Sequence, residues 1–369
     1  MVGNWLGPRA TLESWQQVSL RDALRNRVTR WILPLSYPPS PIHSRRMNVF
    51  VTGGAGYIGS VCVEKLLDFG QKVTVYDNLS EGHRQAVDPR ATLVVAGLND
   101  RKRLAAALDE SQAEAIVHFA AHALVAESMA NPGKYFTNNV ADGLNLVQVA
   151  VAARVRKLVF SSTCAVYGLP DRVPMGEDLP LQPINPYGES KLMFEKILKW
   201  YQQIHGLEFV AFRYFNAAGA TAQFGEHHRI ETHLIPNVLK VALGQSVHCE
   251  IFGADYPTPD GTCIRDYIHV ADLAQAHILA LEPGRHGIYN LGNGGGYSVR
   301  EVICMCERVT GRKISTIAKP RRPGDPAKLV ASAAKALGEL GWKPARPKLK
   351  DIIASAWQWH QAHPQGYAE

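Results

Sequence analysis

The chain of 369 residues is long enough for two domains, or for one large domain with an appended lobe. Its 46% hydrophobic and 20% charged residues are globular proportions, and no stretch approaches the roughly 18 apolar residues of a membrane helix. Residues 1–46 carry +5 of the net charge of +7, from seven Arg against two acids. The remaining chain has no basic run with interleaved aromatic residues, which argues against a nucleic-acid partner.

Residues 1–46 are predicted to be a flexible N-terminal extension outside the fold. They contain three of the seven Trp, an Arg-rich stretch from Arg21 to Arg30, and four prolines shortly before Met47. Few acids and many Arg resemble an organelle transit peptide, but serines are scarce and no secretory hydrophobic region occurs. We therefore expect the functional chain to begin at Met47.

A nucleotide-binding turn is predicted directly after the first strand, 48–52. Gly53, Gly56 and Gly59 lie between this short apolar strand and a helical run. Such glycines allow a tight turn, close approach of the backbone to a pyrophosphate, and close packing of helix on sheet. A second strand, 72–76, ends at Asp77, whose carboxylate can accept both adenosine-ribose hydroxyls and would repel a 2′-phosphate. The pattern predicts NAD rather than NADP.

Further short apolar strands are predicted at 91–96, 115–118, 157–161 and 208–213, with helices between several of them, including 134–153. This alternation predicts an α/β fold of the Rossmann type, a doubly wound parallel sheet covered by helices on both faces. We expect residues 47–221 to form the NAD-binding domain. Residues 222–369, richer in Pro and Gly, are predicted to form a smaller substrate-binding lobe, with some segments returning to the first domain. Residues 292–296 are predicted to be a loop.

Tyr187 and Lys191 are the candidate acid–base pair. Asn185 and Pro186 are typical of a helix start, and the apolar residues of the run to His205 have helical spacing. Tyr187 and Lys191 therefore share one helix face. An ammonium group beside the tyrosine favours the phenolate, and a bound nicotinamide cation would act in the same direction. The pair could then take a proton from an alcohol.

The cysteines and histidines give little sign of a metal site or of disulfides. The six cysteines include no C-x-x-C pair, so we expect reduced thiols and a cytoplasmic protein. The histidines include Glu226-His-His228 with His233, but none of the fourteen falls in an H-E-x-x-H motif. We therefore expect no bound metal.

From Met47 to the carboxyl end, the chain resembles the extended short-chain dehydrogenase/reductase family, and within it the 4-epimerases of UDP-hexoses. The motifs that carry the resemblance occur in the family's order: T-G-G-A-G-Y-I-G from Thr52, Y-D-N from Tyr76, H-F-A from His118, N-N at 138–139, S-S-T-C-A-V-Y-G from Ser161, P-Y-G-E-S-K from Pro186, R-Y-F-N from Arg213, R-D-Y-I-H-V from Arg265, Y-N-L-G from Tyr289 and R-R-P-G-D from Arg321.

The resemblance implies inversion of C4 of a UDP-hexose, UDP-galactose to UDP-glucose, in galactose and nucleotide-sugar metabolism. Tyr187 would act as base and acid on the 4-hydroxyl, Thr163 would bind that hydroxyl, and Lys191 would hold the nicotinamide ribose and lower the tyrosine pKa. The hydride would pass to NAD, and the 4-keto sugar would turn and receive it on the other face. The family commonly forms homodimers through two helices per subunit.

The resemblance also implies binding residues. Arg265 and Arg322 would clamp the diphosphate, a role suited to guanidinium groups. The other residues implied for the nucleotide-sugar pocket are Asn216, Leu234 and Asp325. The residues implied for NAD, besides Tyr187 and Lys191, are Gly53, Gly56, Tyr57, Ile58, Gly59, Asp77, Asn78, Leu98, Phe119, Ala120, Ala121, Asn138 and Phe215.

Several positions depart from patterns common in the family. Thr163 stands where many members have Ser, with the same donor and acceptor. Leu98 replaces an acidic residue that faces the adenine in some members, and Ala123 stands where some have Lys. These changes bear on NAD affinity rather than on the chemistry. Leu329 matches a position that controls access of N-acetylated sugars, and its intermediate size leaves that specificity open.

Two other functions are compatible with the fold. A nucleotide-sugar 4,6-dehydratase or decarboxylase begins with the same oxidation, but the dehydratases have Asp-Glu directly after the catalytic Thr, where this chain has Cys164 and Ala165. A non-catalytic NAD-sensing module could use the same fold. The intact set of Tyr187, Lys191 and Thr163 argues against such a module.

Overall fold

The structure is a computed structural model that describes residues 46–322 and 324–367. Its strands, in chain order, are β1 (Asn48–Thr52), β2 (Lys72–Asp77), β3 (Thr92–Val95), β4 (Ala115–His118), β5 (Lys157–Thr163), β6 (Glu208–Tyr214), β7 (Asn216–Ala218), β8 (Cys249–Phe252), β9 (Ile264–Arg265), β10 (Tyr267–His269), β11 (Gly287–Leu291), β12 (Tyr297–Ser298), β13 (Thr316–Lys319) and β14 (Lys328–Leu329).

The α-helices are α1 (Tyr57–Asp68), α2 (Arg101–Ser111), α3 (Val125–Ala130), α4 (Pro132–Tyr135), α5 (Gly143–Ala152), α6 (Pro186–His205), α7 (Leu234–Ala242), α8 (Val270–Ala280), α9 (Val299–Thr310) and α10 (Leu349–Ala362). Wider π-type turns occupy Phe136–Asp142 and Ala336–Leu340, and tighter 3-10 turns occupy Arg84–Ala86 and Cys164–Tyr167. The predicted helix 134–153 is thus two α-helices joined by a π-type segment.

Seven parallel strands form the central sheet, in the order β11–β6–β5–β4–β1–β2–β3. The chain builds one half outward from β1 through β2 to β3, and then returns to β4 and builds the other half. The strand order therefore reverses between β1 and β4, where doubly wound folds bind their ligands. The predicted Rossmann-type fold is confirmed.

Alternate residues of β1 supply the two halves of the core. Val49 and Val51 point to the face covered by α1 and α8, whereas Phe50 points to the face covered by α2, α5 and α6. A central strand of a parallel sheet is buried on both sides, which explains its continuous apolar sequence. Strand β11 and helix α8 come after residue 221, yet both belong to this layered core.

The remaining elements form a smaller packed region. Helices α7, α9 and α10 cover the parallel pair of β8 and β13 with a core of their own. Short ladders join β12 to β9, β9 to β14 and β7 to β10. Residues 292–296 are a loop, as predicted, and α9 begins only at Val299, where Ser298 and Glu301 form a capping box.

In the part of the chain that the structure describes, no helix is both long and apolar enough to cross a membrane. The extension predicted for residues 1–46 lies outside the described residues except for Arg46.

Candidate active site

The glycine turn after β1 has the geometry of a phosphate-binding cradle. Gly53 adopts a φ of +73°, and a Cβ there would lie 2.4 Å from the backbone N of Ala120. A Cβ on Gly59 would lie 2.2 Å from the Gly53 oxygen. Gly56 is the N-cap of α1 and has no side chain to bind the first N–H groups of the helix. Those N–H groups remain available to an anion at the positive end of the helix.

Asp77 lies beside this turn, at the end of β2. Its carboxylate accepts hydrogen bonds from the backbone N of Ala55, at 3.0 Å, and of Leu79, at 2.8 Å. Burial raises the pKa of Asp77, and the two backbone N–H groups oppose the rise. The carboxylate is therefore fixed in position next to the phosphate cradle. Asn78, the next residue, is exposed.

The other residues predicted to bind NAD lie in the segments that follow β1, β3 and β4. The backbone N–H groups of Phe119 and Ala120 both donate to the oxygen of Thr52, and Ala121 follows directly. Leu98 is buried, and Ile58 packs against the core. Asn138 donates to the side chain of its neighbour Asn139.

Two further residues predicted to bind NAD, Tyr57 and Phe215, are buried. Tyr57 donates its hydroxyl to the oxygen of Gly219, at 2.6 Å. Phe215 lies in a cluster of buried side chains with Leu192 and Leu329.

Tyr187, Thr163 and Lys191 come together at the carboxyl end of β5. Asn185 caps α6 by accepting from the backbone N of Gly188, at 2.8 Å. A Cβ on Gly188 would lie 2.6 Å from the Ala165 oxygen, so only glycine allows α6 to approach the turn after β5 this closely. Thr163 is the last residue of β5 and Tyr187 is the second residue of α6, and these two elements pack against each other.

Lys191 lies one turn along α6 and is buried. Its ammonium group donates to the Ser161 oxygen, at 2.8 Å, and lies 4.9 Å from the centre of the Phe160 ring. Burial lowers the pKa of Lys191 to about 7, although the Glu195 carboxylate opposes this. Burial also raises the pKa of Tyr187 to about 12, although the Thr163 side chain acts to lower it. In the chain without cofactor, burial therefore dominates over the ammonium effect expected from the sequence.

Two anchors that the sequence analysis did not assign hold α6 in place. Glu195 and Arg213 form a buried ion pair, with O···N distances of 2.6 and 2.9 Å, and Ser162 donates to the same carboxylate at 2.6 Å. Asn139 binds both backbone groups of His122 and donates to Ser190 on α6. Asn139 stands in a motif that carried the family resemblance, whereas Glu195 and Arg213 gave no local signal of pairing.

The residues predicted for the nucleotide-sugar pocket lie on the smaller packed region. Arg265 forms an ion pair with Asp325, and the Arg322 guanidinium lies 4.0 Å from the centre of the Phe252 ring. Burial raises the pKa of the Cys263 thiol, and the positive charges of Arg265 and Arg322 act to lower it. Arg265 has the same lowering effect on the pKa of Cys164, next to Thr163.

Two further positions predicted for this pocket are at the starts of elements. Asn216 begins β7, and Leu234 begins α7. Leu329, the position tied to specificity for N-acetylated sugars, pairs with Arg265 across the β9–β14 ladder.

The buried ammonium of Lys191 predicts a specific pH dependence of stability. Below about pH 7 the folded and unfolded chains both carry the charge, so folding bears the full cost of burying it. Between pH 7 and 10.5 the folded chain loses the proton first, so the free energy of unfolding rises with pH. Cofactor-free Lys191→Met should therefore be more stable than the wild type at pH 7, by an amount that shrinks towards pH 10.5.

Denaturant unfolding at several pH values measures this difference. Lys196→Met, an exposed lysine on the same helix, is the matched control and should show no such trend. A stability difference for Lys191→Met that stays constant with pH would contradict a buried, easily deprotonated ammonium.

Comparison with known proteins identifies the family. Residues 49–292 match the NAD dependent epimerase/dehydratase family. The chain is 47% identical over 329 residues to the UDP-glucose 4-epimerase of Lactobacillus helveticus, covering 88% of this chain and 100% of that protein. It is 49% identical over 328 residues to that of Halalkalibacterium halodurans, covering 87% and 98%.

Solved structures give the same result. The UDP-glucose 4-epimerase of Bifidobacterium longum, in complex with NAD+ and UDP, is similar with a TM-score of 0.83 at 38% identity, over 86% of this chain and 99% of that one. That of Brucella ovis, in complex with NAD, has a TM-score of 0.81 at 44% identity, over 84% and 97%. The chain therefore belongs to the NAD dependent epimerase/dehydratase family, alongside these UDP-glucose 4-epimerases.

Proposed function

We propose that this chain is an NAD-dependent 4-epimerase of UDP-hexoses, which interconverts UDP-galactose and UDP-glucose through a transient 4-keto sugar. One observation carries the proposal. Thr163 at the end of β5 and Tyr187 in the first turn of α6 lie at the same carboxyl edge of the sheet as the glycine turn. A sugar hydroxyl bound there would meet a proton acceptor and a cofactor together.

The cradle fits a dinucleotide. Glycine at 53 and 59 leaves the backbone open where any Cβ would collide, and the first N–H groups of α1 suit a pyrophosphate. Asp77 would accept the adenosine-ribose hydroxyls, and Leu98 and Asn138 would complete the site. NAD, when bound, supplies a hydride acceptor for C4 of the sugar and the hydride donor for the return step.

Tyr187 would take the proton from the 4-hydroxyl and later return it. Its pKa of about 12 in the chain without cofactor is high for a base near neutral pH. The positive charges of Lys191 and of an oxidised nicotinamide would favour the phenolate. Thr163 would hold the substrate hydroxyl in line for transfer.

Arg265, Arg322, Asn216, Leu234 and Asp325 would bind the nucleotide sugar. Arg265 is nearly buried and is paired with Asp325. A guanidinium held in this way is positioned in advance for a diphosphate, which offers more oxygen acceptors than one carboxylate. Arg322 would add a second positive charge.

Elimination of water or carbon dioxide fits the site less well. A 4,6-dehydratase needs a proton donor beside the catalytic Thr. Burial raises the pKa of the Cys164 thiol, which follows Thr163, to about 12. A thiol this weak is a poor acid at neutral pH, which favours epimerisation.

We further propose that residues 1–46 are a flexible extension, residues 47–221 the NAD-binding domain, and residues 222–369 the substrate-binding lobe. Helix α8 and strand β11 would be the segments that return to the first domain. A cytoplasmic location is supported by the six cysteines, all free thiols.

We also propose a homodimer, formed through an exposed apolar face of α6. Met193, Trp200 and Ile204 are exposed and, with the half-buried Ile197, repeat at helical spacing along one side. Helix α3 packs beside α6 and adds the exposed Val125 and Met129. An apolar patch of this kind is typical of a protein interface.

A turnover assay tests the proposed function directly. Purified protein, incubated with UDP-galactose and without added NAD, should produce UDP-glucose if the cofactor is retained. A 4-keto-6-deoxy product would indicate a dehydratase instead. Retained NAD with no turnover of any UDP-hexose would favour an NAD-sensing module.

Tyr187→Phe should lower turnover by about 10²- to 10⁴-fold, the usual contribution of a general acid–base group, while NAD remains bound. The ring still packs in the same place, so the loss should reflect the missing hydroxyl. Tyr201→Phe, on the same helix, is the matched control and should keep near wild-type activity. Steady-state kinetics and bound-NAD absorbance measure both effects; more than half the wild-type rate in Tyr187→Phe would contradict its proposed role.

Asp77→Ala should weaken NAD binding and reduce discrimination against NADP. Loss of a charge-assisted hydrogen bond corresponds to about 10- to 150-fold in affinity. Asp77→Asn keeps a side-chain oxygen that can accept a hydrogen bond from the backbone N–H groups of the turn. It therefore tests the loss of the charge separately from a change in the backbone of the turn. Asp109→Ala, an exposed acid on α2, is the control. Unchanged cofactor preference in both Asp77 variants would show that the carboxylate does not select NAD.

Trp200→Glu should convert the dimer into a monomer, because it places a charge in the centre of the proposed interface. Light scattering after gel filtration measures the mass. Val247→Glu, at an apolar residue that is 85% exposed in the loop after α7, should leave the dimer intact. A monomeric wild type, or a Trp200→Glu variant that stays dimeric, would exclude this interface.

A further inference from the structure

A cluster of two histidines and two glutamates lies on the connection between β7 and α7. Its members are Glu226, His228, Glu231 and His233, and one nitrogen or oxygen of each lies within 4.8 Å of all the others. Glu226 Oε1 is 3.2 Å from His228 Nε2 and 3.1 Å from His233 Nδ1. Glu231 Oε1 is 2.9 Å from the same Nδ1. We call these four side chains the His/Glu cluster.

The two glutamate carboxylates are buried, although glutamate side chains are usually exposed to solvent. The exposed fractions of the side chains are 6% for Glu226 and 4% for Glu231. Two carboxylates so close together and shielded from solvent require positive charge between them. The histidines, at 32% and 44%, cover the cluster on its solvent side and leave a path for an ion.

The spacing suits a small tetrahedral ion. Zinc binds imidazole nitrogen and carboxylate oxygen at about 2.0 to 2.2 Å, so neighbouring ligands of a tetrahedral site lie about 3.3 to 3.5 Å apart. The three nitrogen–oxygen separations given above are only a few tenths of an ångström smaller, and all four ligand atoms lie within 4.8 Å of one another. Calcium and magnesium prefer six or more oxygen ligands, whereas two nitrogens and two oxygens suit zinc.

The cluster also lies where a bound ion could link the first turn of α1 to the start of α7. The edge of the Tyr57 ring, from the first turn of α1, contacts His228 with ring centres 6.1 Å apart. Arg229, inside the segment, donates to the oxygens of Leu79 and Gly82. Leu234, predicted to line the sugar pocket, follows His233 directly.

We propose that the His/Glu cluster binds one zinc ion, which fixes residues 226–233 between the glycine turn and the start of α7. Four protein ligands fill a tetrahedral shell, so the ion is structural and holds no water for catalysis. The site is separate from Tyr187 and Thr163 and does not depend on the reaction proposed above.

Zinc content tests the proposal. Purified full-length protein is stripped with a chelator, dialysed against excess zinc and then against buffer, and measured by mass spectrometry of the metal. The wild type should retain one ion per chain. His228→Gln and Glu231→Gln should each lose it, with affinity falling by more than the roughly 10- to 100-fold typical of second-shell changes. His286→Gln and Cys304→Ser, at exposed positions elsewhere, should retain it.

Two measurements on the wild type keep the test decisive if a variant folds poorly. Cobalt bound in place of zinc should show the intense visible bands of a tetrahedral site, and zinc should raise the melting temperature of the stripped protein. Absence of stoichiometric zinc in the wild type, an octahedral cobalt spectrum, or full zinc retention in folded His228→Gln and Glu231→Gln would each overturn the proposal.

Discussion

The buried ion pair of Glu195 and Arg213 is the interaction on which the geometry of the candidate site depends. It joins α6 to β6, and Ser162 attaches the same carboxylate to β5. Removing one partner of such a pair typically costs about 3 to 5 kcal/mol, because the other charge remains buried. Tyr187 lies on α6 and Thr163 on β5, so the relative position of their side chains depends on how these three elements are held together.

Burial has opposite effects on the two functional side chains of α6. It raises the pKa of Tyr187 and lowers that of Lys191, so it disfavours the charged form of both. The protein alone therefore does not provide an anionic base near neutral pH. The positive ring of an oxidised nicotinamide would favour the phenolate of Tyr187, whereas the same charge would disfavour the ammonium form of Lys191. The proposed base therefore depends on the bound cofactor more than on Lys191.

Local patterns were sufficient to predict the fold and to locate the candidate site. The glycine turn, Asp77 and the Tyr187–Lys191 spacing each occupy short segments, and the structure brings them to one edge of the sheet. Contacts between distant segments had no such signal. Glu195 lies in α6 and Arg213 in β6, so their pairing joins two different elements. Strand β11 pairs with β6 in the main sheet, although several elements of the smaller region lie between them in the chain. The His/Glu cluster lies in a loop, where no periodic pattern reveals which side chains meet.

The ion pair between Arg265 and Asp325 bears on how a sugar could present both faces to one cofactor. Inversion at C4 requires the sugar ring to turn while the rest of the substrate stays in place. A diphosphate held by Arg265 and Arg322 would be the fixed point, since guanidinium groups bind its oxygens through several directed hydrogen bonds. The ion pair with Asp325 fixes the Arg265 guanidinium. If Arg265 binds the diphosphate as proposed, less side-chain entropy would be lost on binding. Strong binding far from the reacting carbon, together with few directed contacts to the ring, is the combination that such a rotation needs.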